Sequence, residues 1–162
     1  MSFIMSVRAF TLRPLLENTV FLSALTSWIL AQVVKVFVVI FSGKKKPLKE
    51  LLAIIIWRTG GMPSSHSATV ASLTVAVGIK EGLGSTLFII CVFFTLIVIR
   101  DAMGVRRSSG LQARALNLLG KNTSERIGFE YNPVKEIQGH SPLEVIVGSL
   151  LGIFIAAAYA WL

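Results

Sequence analysis

Two histidines make up the whole histidine content of this 162-residue chain, and each stands in a setting that could do chemistry. The first, His66, closes the run "GGMPSSH". Gly60 and Gly61 permit a sharp turn there, Pro63 suits a first helical turn, and Ser64 and Ser65 can cap the helix that follows. Free amides and the positive end of the helix dipole make such a terminus a cradle for phosphate. An imidazole at the cradle can deliver a proton to a leaving oxygen near neutral pH. The second, His140, opens "HSPLE", and a helix would bring Glu144, four residues on, to the same face. A carboxylate there can accept from one ring nitrogen and hold the other in position as a nucleophile. The bland readings are a capped helix with a polar entrance and a chance H-x-x-x-E. A metal pair is the rival chemistry, but two histidines and a few carboxylates without tight ligand spacing argue against it, so neither metal nor cofactor is expected.

Cations gather around the same points. In "RDAMGVRRSSG", Asp101 begins a short flexible exit, and Arg106 and Arg107 supply planar, permanently charged forks suited to phosphate oxygens. The competing reading is a basic cluster that only stops translocation. Arg58 stands just before the first histidine run. Lys35 lies inside an apolar stretch, where a cation is costly unless it has a partner or a watery cavity. Lys44, Lys45 and Lys46 are expected to set topology and touch lipid headgroups.

The elements that must hold these residues are membrane spans. The chain is 54% hydrophobic and 15% charged, with a mean hydropathy of +0.74, whereas about a quarter of the residues of a soluble domain are charged. The expected fold class is all-α: one integral membrane domain, a polytopic bundle of about four transmembrane helices. The spans fall at 18–41, 63–79, 85–99 and 142–162, with polar loops at 42–62 and 100–141. The second span is rich in Ala, Ser, Thr and Gly, which let helices approach closely in lipid, and Gly148 and Gly152 form a G-x-x-x-G pair in the last. The single Cys91 rules out an intramolecular disulfide. The net charge of +8 falls in clusters beside apolar runs, which points to anionic headgroups and a phosphate-bearing ligand rather than nucleic acid. The two basic loops share a side, which the positive-inside rule makes cytoplasmic, with both termini outside. The N-terminal "MSFIMSVRAF" lacks the long apolar core of a signal peptide.

The blocks "AQVVKV", "GGMPSSHSATV", "DAMGVRRSSGLQA" and "GHSPLEVIVGSLLG", in that order, resemble the divergent branch of the type 2 phosphatidic acid phosphatase family, also described as acid phosphatase/vanadium-dependent haloperoxidase-related proteins. The resemblance runs from about residue 18 to 162. It implies metal-independent hydrolysis of a phosphate monoester or diphosphate within a helical bundle. By resemblance, His140 would be the nucleophile that is transiently phosphorylated, Glu144 its orienter and His66 the acid that protonates the leaving group. Lys35 and either Arg106 or Arg107 would clamp phosphate, helped by Arg58, Ser64 and Ser65. Departures stand out: the first motif's lysine seven residues before an Arg-Pro pair has no counterpart here, Ser65 replaces a glycine of the P-S-G-H motif, Glu144 stands for an aspartate, and a long polar segment separates Arg107 from His140. The expected function is a membrane phosphatase acting on a lipid phosphate or diphosphate at the cytoplasmic face of the plasma membrane. Its partners would be the phosphorylated lipid and bulk membrane lipids, with a homo-oligomer left open. The alternative is a non-catalytic membrane protein that binds or moves an anionic lipid.

Overall fold

A computed structural model describes residues 13–42, 61–136 and 139–161. Arg58 and the lysines of the first basic loop therefore lie outside the described residues. Among those described, all regular structure is helical: α1 (Arg13–Leu16), α2 (Thr19–Phe41), α3 (Ser65–Glu81), α4 (Thr86–Met103), α5 (Val105–Ile127) and α6 (Pro142–Ala160). A short polar side chain starts each of the four bundle helices. Asn18, Ser64, Ser85 and Ser141 accept from first-turn amides, as N-caps do. Gly82 and Gly128, both at positive φ, end α3 and α5.

Among the described residues, three helical runs are long and apolar enough to cross a membrane: Thr19–Phe41, the run Thr86–Ile127 through its apolar first part, and Pro142–Ala160. The shorter and more polar α3 packs against α2, α4 and α6 and so forms the centre of the bundle. The packing inverts that of a soluble domain. Ser23, Ser27 and Ala31 face inward from α2, Ser67, Ala68, Ala71 and Ser72 from α3, and Gly148, Gly152 and Ala156 from α6. Large apolar side chains point out, with Phe93 62% and Phe154 71% exposed. Water would not tolerate so extended an apolar surface, while hydrocarbon does. Small inward residues let backbones approach, since lipid supplies no hydrophobic force between helices.

Glycine sets the closest approach. A Cβ on Gly148 would lie 2.3 Å from the Ser64 carbonyl oxygen, and one on Gly152 2.1 Å from that of Ala68. Hydroxyls tie the remaining seams: Thr74 to Thr95 at 2.8 Å between α3 and α4, and Thr26 to Tyr159 at 2.9 Å between α2 and α6.

One expectation is corrected. The segment 100–141, read as a polar loop, begins with the last turn of α4 and then holds the 23-residue α5. Its residues are largely helix formers (Leu, Ala, Arg, Gln, Lys), and the left-handed Gly128 stops it. From there the chain returns in extended form along α5. Asn117 donates to the Val134 carbonyl and accepts from the Val134 amide, both at 2.8 Å, and Tyr131 packs over Gly120.

Candidate active site

The two helix starts that carry the histidines are fastened backbone to backbone. The Ser64 amide donates to the Glu144 carbonyl at 3.0 Å, and Gly148 leaves room for the Ser64 carbonyl beside α6. His140 stands just before the N-cap of α6, and its amide donates to the carbonyl of Ala102 in the last turn of α4 at 3.1 Å. Three helices thus fix one end of the bundle. The consequence is that the rings of His66 and His140, 74 residues apart in sequence, meet edge to face with centroids 6.2 Å apart and planes at 77°.

His140 is only 1% exposed, and neither ring nitrogen has a hydrogen-bond partner among the described residues. Leaving such a group unsatisfied costs roughly 1–3 kcal/mol, which calls for an explanation such as a catalytic role or an ordered water or ion at the ring. Burial first, and then the positive charges of Lys35, His66 and Arg106, push its imidazole from 6.5 down to about 4. The ring is therefore neutral near pH 7 and keeps a nitrogen lone pair, the form required of a nucleophile.

The cations surround the pair. Lys35 is 2% exposed, its stem passes beneath Gly61, and its charge is within electrostatic reach of Glu144 and His140. Arg106 reaches back to Asp101, Nε donating to Oδ2 at 2.7 Å, so that Asp101 positions the guanidinium near the rings. Arg107 faces elsewhere and lines an open cavity of about 430 Å³ with Gly61, Arg114, Glu136, Gly139 and Glu144. Two neighbouring arginines thus take different places, one beside the histidines and one in the adjoining cavity.

Two sequence-derived roles change in detail. Glu144 does not bond the His140 ring. Its carboxylate accepts from the Ser141 amide at 3.1 Å, and the Ser141 hydroxyl accepts from the Glu144 amide at 3.4 Å, a capping box. The reason is that His140 precedes the helix, so the i to i+4 geometry never forms. Ser64 is likewise occupied: its hydroxyl accepts from the amide and hydroxyl of Ser67 and is wholly buried. Ser65, 3% exposed, lies one residue from His66, its carbonyl taken by the Thr69 hydroxyl.

Sequence reasoning missed Arg114, Glu136 and Gly139. Gly139 lies against Arg107, where a Cβ would fall 2.3 Å from the arginine backbone; a glycine directly before the candidate nucleophile was the available signal. Among the described residues, no three His, Cys, Asp or Glu side chains converge as metal ligands would.

The sequence model of the Divergent PAP2 family matches residues 16–155, a span that contains every element of the site. The chain belongs to the Divergent PAP2 family. A further relative is an uncharacterized membrane protein of Bacillus subtilis, YuiD, 37% identical over 158 residues that cover 91% of this chain and 97% of that protein. No solved structure matches the chain. Membership in the Divergent PAP2 family and a bundle of membrane-crossing helices fit one another: both describe an all-helical, multi-pass membrane protein related to the type 2 phosphatidic acid phosphatases.

Proposed function

We propose that this protein is a membrane phosphatase that hydrolyses a lipid phosphate or diphosphate through a histidine nucleophile. The observation that carries the reading is the meeting of His66 with a buried, neutral, unpartnered His140 inside a ring of positive charge. A nitrogen of His140 attacks phosphorus, and the bond from phosphorus to the ester or bridging oxygen breaks. His66 gives its proton to that oxygen, and the leaving group departs. Water then attacks the phosphohistidine, His66 takes the water's proton, and inorganic phosphate and free His140 result. Lys35, Arg106 and the start of α3 stabilise the charge on the phosphoryl oxygens during both steps. Asp101 and Glu144 are positioning residues, the first for Arg106 and the second for the start of α6 beside His140. Arg107, and Arg58 from the basic loop, add to the attraction of the anionic headgroup from the cytoplasmic face of the plasma membrane.

Phosphate release from a panel of lipid phosphates and diphosphates, by purified protein in detergent, tests the reading. His140→Ala should lower turnover on the order of a thousandfold or more, as removal of a nucleophile does. His66→Ala should lower it by about 10²–10⁴-fold, the range for loss of a general acid. Equal release from wild type and folded His140→Ala would sink the mechanism. Absence of release from every substrate would favour the alternative of anionic-lipid binding without turnover.

A further inference from the structure

The open cavity of about 430 Å³ that adjoins the histidine pair is built on α5. Arg107, Gly110, Leu111 and Arg114 line it, at spacings of three, four and seven residues that put them on one face of the helix. The facing walls come from elements that also position the histidines: Gly61 ahead of α3, Gly139 directly before His140, and Glu144 in the first turn of α6.

Two features fit this cavity for a ligand. The first is the space between the arginines. Gly110 lies within a 23-residue helix, where glycine costs about 1 kcal/mol relative to alanine. Without a side chain there, Arg107 and Arg114, about 10 Å apart along the helix axis, face each other across open volume. Arg107 is held at its end of that volume, because Gly139 comes so close that a Cβ would fall 2.3 Å from the arginine backbone. The second feature is where the hydrogen bonds go. Both carboxylates of the cavity are turned to neutral donors: Glu136 Oε1 accepts from the Asn117 side chain at 3.0 Å, and Glu144 Oε2 from the Ser141 amide at 3.1 Å. Neither Arg107 nor Arg114 has a hydrogen-bond or ion-pair partner among the described residues. Each guanidinium therefore keeps a planar fork of N–H donors free. A tetrahedral oxyanion can accept one fork from each side, whereas a planar carboxylate presents its two oxygens to a single fork.

We propose that this cavity is a second anion site, in which Arg107 and Arg114 together hold a phosphate group apart from the phosphorus that His140 would attack. The group arrives either on a lipid headgroup or as free inorganic phosphate. The site requires no turnover at His140, so it stands or falls separately from the phosphatase reading. It also gives Gly110 and Arg114 a purpose that the histidine chemistry does not.

Titration calorimetry of inorganic phosphate into purified protein in detergent, in chloride buffer, tests the site. His140→Ala serves as the background, since it removes the nucleophile and should leave this binding in place. Arg114→Gln should weaken it about tenfold or more, the loss of a charge-assisted fork. Gly110→Leu keeps every charge and favours the helix, so it is expected to fold, and should weaken phosphate binding to a similar extent by filling the space between the arginines. Lys121→Gln removes the same charge from the same helix face one heptad further on, outside the cavity lining, and should change the affinity by less than about twofold. The three variants are made in wild type as well, so the comparison stands even where the histidine variant does not fold. Phosphatidic acid added to the micelles separates the two sources: competition with inorganic phosphate names the lipid headgroup, and undisturbed phosphate binding names the free ion. Either result supports the site. Phosphate binding that is absent, that persists undiminished in both Arg114→Gln and Gly110→Leu, or that falls equally in Lys121→Gln would overturn it.

Discussion

At the scale of single residues, His140 carries the sharpest consequence. Its imidazole is held near 4 in the folded protein and returns to about 6.5 on unfolding. As the pH falls, the unfolded chain therefore takes up the proton first. The stability associated with the neutral ring is complete above about pH 6.5 and is lost progressively toward pH 4. The full loss is on the order of 3 kcal/mol. Thermal unfolding in detergent between about pH 7 and pH 4.5 should show this decline, and His140→Phe, which has no proton to take up, should flatten it. A slope unchanged in the variant would assign the acid sensitivity to another group. Residue type and position were enough to single out both histidines and Lys35, which the fold brings to one end of the bundle, but not to choose between Arg106 and Arg107. The duty of Glu144 was legible too, but in a different pattern: Ser141 and Glu144 form the S-x-x-E of a capping box, and Pro142 suits the first turn. Reading His140 and Glu144 as neighbours on a helix overlooked that the helix starts between them.

At the scale of elements, the contact between α3 and α6 decides the assembly. The added methyl of Gly152→Ala meets backbone, which cannot rotate aside, so the helices must separate. Gly148→Ala and Gly152→Ala should each destabilise by roughly 1–3 kcal/mol, the usual cost of overpacking, measured by thermal unfolding in detergent. Gly84→Ala, with nothing within 4 Å of the new methyl, should stay within about 0.5 kcal/mol as a surface control. Composition made these tight contacts foreseeable, since G-x-x-x-G and a Ser/Ala-rich span carry a direct physical meaning in lipid. It hid α5. Five basic residues and several Ser and Asn made 105–127 look like a solvated loop, while Leu111, Ala115, Leu118 and the stop at Gly128 spelled a helix. Charge masked the pattern: α5 is amphipathic, but its apolar positions are interleaved with charged and polar ones and none of its residues is buried.

At the scale of the whole molecule, small residues inside and large ones outside make sense only in a bilayer, and hydropathy alone announced it. The basic segments make an expectation of sidedness that labelling can test. On a Cys91→Ser background in intact cells, Lys121→Cys should resist an impermeant maleimide and Glu81→Cys should react, as expected if α5 is cytoplasmic and the turn after α3 is outside. The reverse pattern, or reaction at both, would overturn the assigned topology. The meeting of residues 66 and 140 was expected from the resemblance rather than from spacing, because their proximity is created by a seam between helices and not along the chain. That seam also sets where the protein yields first. The Asn117–Val134 hydrogen bonds that hold the returning segment to α5 are exposed, and local opening frees them. The Ser64 amide, by contrast, is buried and bound to a second helix, so solvent deuterium reaches it only when α3 and α6 part, which is to say when the bundle itself comes undone. The histidine pair is thus seated in the last part of the protein to exchange its hydrogens, and the returning segment should come loose long before the two rings part.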